Sequence, residues 1–166
     1  MRNTKPVSAP LSETAPVMAQ LLGYAGALPF AGGALFVAFD LAIAGFDPFR
    51  LLVGYGAVIL SFLGGLHWGR VAAASAQQTD QPASLWLVWS VVPSLLGWSA
   101  LFMPPLAAVI VLSASFILAL LIDLGRLGAA LAGAPRWPVW MRRLRAHLTF
   151  VAVASLLSSV LGVGAA

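Results

Sequence analysis

Five apolar segments, each near the length that crosses a lipid hydrocarbon layer, constrain this chain more than any other feature. A spanning α-helix needs about 20 predominantly apolar residues. The segments run from about Pro16 to Ala44, Leu51 to Ala74, Ser84 to Met103, Pro105 to Leu127 and His147 to Val163. A closed β-barrel is the other structure that spans a bilayer, but no segment shows the alternating period a barrel strand requires.

Composition agrees. The chain has 166 residues, of which 61% are hydrophobic and 8% charged. Soluble domains average about 45–50% apolar and about 25% charged residues. So few charges cannot cover a water-facing surface, and lipid is the simpler solvent. The expected architecture is all-α: an integral membrane bundle of five transmembrane helices, plus a short interfacial helix before the fifth. Residues 1–14 read as a disordered tail rich in Pro, Ser and Thr, and residues 15–166 as a single five-helix transmembrane domain. Arg2 and Lys5 precede an apolar run, as in a signal peptide. That run continues to Ala44, too far for a cleaved leader, so the segment reads as a retained anchor.

The breaks between segments follow backbone chemistry. Gly45, Asp47 and Pro48 form a turn cluster, Gln77 to Pro82 is a polar run, and Gly133 and Pro135 close the fourth segment. Pro104 and Pro105 separate the third from the fourth, with Pro105 suited to a first helical turn. Pro29 and Pro93 lie inside spans and should kink them. Ser90, Ser94 and Ser99 flank Pro93 and are expected to satisfy the backbone groups it frees.

Charge sets an orientation. With five spans, Arg2, Lys5, Arg70, Arg126, Arg136, Arg142, Arg143 and Arg145 fall on one side, and Arg50 on the other. The positive-inside rule then places the N-terminus in the cytoplasm and the C-terminus in the periplasm of a bacterial inner membrane, with a mitochondrial inner membrane as the alternative. The expected partners are a bilayer with anionic headgroups and, beyond it, other membrane proteins. No nucleic-acid-binding motif is present. Pro138 to Arg145 reads as the interfacial helix. Trp137 and Trp140 would anchor it at headgroup depth, and Arg142, Arg143 and Arg145 would face the leaflet.

The second segment is rich in small residues: Gly54, Ala57, Ser61, Gly64, Gly65 and Gly69. Ala57, Ser61, Gly65 and Gly69 lie four apart on one ridge, where a neighbouring helix could approach closely. His67 and Arg70 follow near its end, Asp123 and Arg126 close the fourth segment, and His147 opens the fifth. Ionisable groups beside hydrocarbon must be paired or hydrated. A polar cluster of His67, Arg70, Asp123 and Arg126 is therefore expected. It would be a structural lock, a proton, ion or headgroup site, or, with His67 and His147 as paired ligands, a haem or metal site.

No catalytic constellation emerges: there is no G-x-S-x-G, no H-E-x-x-H and no phosphate-cradling loop. Cysteine is absent, which removes disulfides, thiolate metal ligation and thiol catalysis. No cofactor and no metal are expected, and the chain reads more readily as a non-enzyme.

YGAVILSFLGGLHWG in the second segment, WSVVPSL in the third, Asp123 and then PVWMRRLRAHLT occur in that order. Together they resemble a family of small multi-pass membrane proteins known as a domain of unknown function, found in bacteria and with a mitochondrial relative, transmembrane protein sixty-nine. The resemblance extends from about Leu21 to Leu157. It implies importance for Gly54, Tyr55, Gly56, Ser61, Gly64, Gly65, His67 and Trp68, and for Pro93, Asp123, Arg142, Arg145 and Thr149. It implies no activity. The expected function is a non-enzymatic accessory or assembly factor in the membrane. The alternative is a small-solute or proton pathway centred on His67 and Asp123.

Overall fold

A computed structural model describes residues 14–41, 44–76, 83–125 and 137–163. Five α-helices make up its regular structure: α1 (Thr14–Ala38), α2 (Pro48–Ala76), α3 (Ala83–Ala100), α4 (Pro105–Asp123) and α5 (Val139–Val163). Four contain stretches long and apolar enough to cross a membrane: Pro16–Ala38, Pro48–Ala73, Pro105–Asp123 and Val139–Gly162. The apolar part of α3, Ser84–Ala100, is shorter. The N-terminal tail, the Gln77–Pro82 run, and Arg126 and Arg136 lie outside the described residues.

Helix ends follow local chemistry. α1 stops at Ala38 rather than Ala44, because Asp40 takes a left-handed conformation with φ of 50°. The Asp40 N–H then bonds to the Val37 carbonyl and the Leu41 N–H to that of Phe36. This is a Schellman termination with aspartate where glycine is usual. α2 starts earlier than expected. Asp47 caps it, its Oδ1 accepting from the Phe49 N–H at 2.9 Å, and Pro48 fills the first helical position. α4 ends at Asp123 because Gly125 adopts φ of 74°, its N–H bonding to Ile122.

The interfacial helix does not form as a separate element. The Arg142 N–H bonds to the Pro138 carbonyl, and from Val139 a single helix runs to Val163. Leu144 and Arg145 continue the buried face of that helix, so tertiary packing holds this stretch in line with the span instead of lying flat.

Successive helices alternate in direction. Tyr24 meets His147 and Gly162 abuts Val37, so α1 and α5 run parallel along their length. Gly97 meets Ala57 and Trp86 meets His67, so α3 runs antiparallel to α2. Gly56 faces Leu112 and His67 faces Asp123, so α4 runs parallel to α2. α2 touches every other helix.

The contact faces share one period. Val53, Ala57, Leu60, Gly64 and His67 are buried on α2, and Trp86, Ser90, Pro93, Gly97 and Ala100 on α3. Val109, Leu112, Phe116, Ala119 and Asp123 are buried on α4, and Arg145, Thr149, Ala152, Leu156 and Ser159 on α5. Each stripe advances by alternating steps of three and four, the 3.5-residue repeat of left-handed helix packing. Phe30 of α1 anchors the centre, edge-on to Tyr55 and Phe116 at centroid distances of 5.0 and 5.8 Å.

This periodicity corrects the expected ridge. Ala57 and Gly64 pack; Gly65 and Gly69 face open space, Ser61 and Gly54 are half-buried, and the Ser61 hydroxyl bonds to its own helix at Ala57. A strict spacing of four drifts around a helix, whereas steps of three and four stay on one face. A Cβ on Gly64 would collide with the carbonyl oxygen of Ser90, and one on Gly97 would come within 3.0 Å of the Ala57 backbone. Glycine at these two points is what lets α2 and α3 touch. Ser90 and Ser99 do not repair the break at Pro93 as expected. The Ser90 and Ser99 hydroxyls bond to the carbonyls of Leu87 and Leu96, not to that of Trp89, the acceptor that Pro93 leaves bare.

The polarity of the molecule is inverted relative to a soluble protein. Leu161 is 80% exposed and Phe150 74%, while Asp123 is 4% and Arg145 7% exposed. Water cannot solvate such a surface at acceptable free energy, whereas hydrocarbon can. The molecule is a membrane protein.

Candidate functional site

Three buried stripes end in a polar residue at the same end of the bundle: His67 on α2, Asp123 on α4 and Arg145 on α5. Asp123 is the last residue of α4, where the helix dipole places partial negative charge and disfavours a carboxylate. Two neighbouring helices answer it. Oδ1 accepts from His67 Nε2 at 3.1 Å. Oδ2 accepts from Arg145 Nε at 2.8 Å and also from Arg145 Nη2. The carboxylate is thereby shared between a ring and a guanidinium, and α2, α4 and α5 are tied at one level.

A second layer surrounds the triad. The His67 ring stacks on Trp86 of α3, with centroids 5.2 Å apart and planes 12° from parallel. The Arg70 guanidinium lies 5.8 Å from the Trp86 ring and 5.2 Å from that of Trp137. Such cation–π contacts hold a charge that has no carboxylate partner among the described residues. His67 Nδ1, the indole nitrogens of Trp86 and Trp137, and the Thr149 hydroxyl are buried and make no hydrogen bond.

The structure therefore joins His67 to Asp123 and leaves Arg70 one layer out. Arg126 lies outside the described residues. Arg145, expected at the leaflet as an anchor, is the ion partner of Asp123 instead. It heads the stripe Arg145–Thr149–Ala152–Leu156–Ser159, a spacing visible in the sequence that separates it from Arg142 and Arg143, which stay exposed. Trp140 is half-buried, and Trp137 is engaged by Arg70. His147 does not meet His67. Its Nδ1 shares a 3.0 Å hydrogen bond with the Tyr24 hydroxyl. Among the described residues no three His, Cys, Asp or Glu side chains gather as a metal site would require.

The profile of a family described as "Protein of unknown function (DUF3429)" matches residues 15–161. The chain belongs to the DUF3429 family. A Xenopus tropicalis protein named Transmembrane protein 69 is 39% identical to this DUF3429 chain over 150 residues, covering 89% of the chain and 55% of the relative. The chain thus spans little more than half the length of that relative. No solved structure matches it. The whole triad and its Trp86 neighbour fall within the matched region.

Proposed function

We propose that this DUF3429 protein is a five-span, non-enzymatic accessory or assembly factor of the bacterial inner membrane, with a mitochondrial inner membrane as the equivalent setting. α3 completes the span count. The alternating helices bring Arg70, Arg142 and Arg143 to one end and Arg50, beside Asp47, to the other. The positive-inside rule makes the first end cytoplasmic.

One observation carries the reading. The Asp123 carboxylate is held on both oxygens by His67 and Arg145, while α1, of whose spanning residues only 11% are buried, leaves a long apolar face without protein cover. A closed triad serves to fix helix register, and an uncovered helix serves as a surface for another membrane protein. Purification of tagged protein from native membranes in mild detergent should retain a stoichiometric partner. Leu28→Trp, on the exposed face of α1, should weaken that association. Recovery of a lone, monodisperse protein would rule the reading out.

A second reading is a proton or small-solute pathway through His67 and Asp123. It is favoured by the unbonded Nδ1 of His67, a proton acceptor beside a carboxylate. It predicts that His67→Ala abolishes transport in proteoliposomes while folded protein is still recovered. Equal flux in the two proteins would exclude it.

A further inference from the structure

Arg70 of α2 has its charge held in place and its donors unused. It lies three residues before the end of the spanning stretch Pro48–Ala73, the depth at which hydrocarbon gives way to headgroups. Its guanidinium sits over the ring of Trp86 on α3 and over that of Trp137, just before α5. The side chain is half-buried, so it is gripped without being sealed off.

Aromatic rings attract a cation but supply no oxygen to its five N–H groups. The one carboxylate described at this end of the bundle, that of Asp123, is taken by His67 and Arg145. Arg145 is thereby neutralised. Arg70 is not, and among the described residues it makes neither an ion pair nor a hydrogen bond through its side chain. Exposed Arg142 and Arg143 add positive charge to the same end.

A partly desolvated charge without a counter-ion draws an anion. The clamp selects which one. A guanidinium already ordered by aromatic rings offers its planar fork to two oxygens at once, the geometry of a phosphate. At the end of a spanning helix, the bilayer itself supplies that group as a lipid phosphodiester. We infer that Arg70, clamped by Trp86 and Trp137, is a specific site for the headgroup phosphate of one anionic phospholipid. The site uses neither the uncovered face of α1 nor the hydrogen bonds of the triad, so it stands independently of the assembly reading.

The test uses the full chain, delipidated in neutral detergent and titrated with short-chain phosphatidylglycerol under native mass spectrometry. In about 0.15 M ammonium acetate, charges more than about 8 Å apart are largely screened. One phosphatidylglycerol should bind ahead of the rest and in preference to phosphatidylcholine of the same chains, and excess inorganic phosphate should not displace it. Arg70→Gln should weaken this first binding roughly 10- to 100-fold, the scale of charge-assisted hydrogen bonds. Arg70→Lys keeps the charge without the fork and should recover little of the loss, which also serves as the reading if Arg70→Gln does not fold. Arg143→Gln, exposed at the same end, should change affinity less than about fivefold. Equal losses at positions 70 and 143 would overturn the inference, since they indicate diffuse attraction. So would full affinity in Arg70→Lys, displacement by inorganic phosphate, or absence of a preferred first lipid, as when Asp80 of the chain itself takes the place.

Discussion

Asp123 occupies a position hostile to a carboxylate, at the C-terminal end of a helix and out of water, and it is stable there only because two helices supply donors. Removing it leaves Arg145 buried without a counter-charge. Asp123→Ala should therefore cost roughly 3–5 kcal/mol, the range for breaking a buried pair. The detergent melting temperature measures this. The double replacement Asp123→Leu with Arg145→Leu should recover much of the loss, because no uncompensated charge remains. Additive losses would show that the two residues do not act as a pair. The sequence made the pairing only half legible. His67 and Asp123 announce themselves as isolated polar residues at the ends of apolar segments. Arg145 hides among Arg142 and Arg143, and only the helix phase that it shares with Thr149 and Ala152 tells it apart.

At the scale of the element, apolar length revealed the helices, whereas phase decided their contacts. Spacing of four through Ala57, Ser61, Gly65 and Gly69 picks a ridge, yet the face against α3 runs through Ala57, Leu60, Gly64 and His67. Gly64→Val should push α2 from α3 against the Ser90 carbonyl, at a cost of roughly 1–3 kcal/mol, as overpacked cores show. Gly65→Val, facing open space, should stay within about 0.5 kcal/mol of the wild type. Equal losses at both positions would contradict the observed packing. Element ends were less legible than elements. Asp40 in a left-handed cap ends α1 early, and nothing in an apolar run marks that residue as a stop. α5 begins at Val139 and runs on without a break into the span, its buried face starting at Leu144 and Arg145, while amphipathic spacing alone suggested a separate helix lying flat.

For the whole molecule, the decisive property is inverted polarity: Asp123, Arg145 and His67 lie inside, while many large apolar side chains, Leu161 and Phe150 among them, lie outside. Composition made that inversion readable, since so few charges could serve only as rare internal contacts or end markers. The alternating helices place Arg50 at one end of the bundle and Arg143 at the other. Native cysteine is absent, so single reporters can be introduced cleanly. The most direct measurement is labelling of Arg50→Cys and Arg143→Cys by a membrane-impermeant maleimide, in bacterial cells with a permeabilised outer membrane. The account predicts that position 50 reacts at once and position 143 only after the inner membrane is broken. Reaction of both positions from the same side would contradict a bundle that crosses the bilayer with its arginine-rich end facing the cytoplasm.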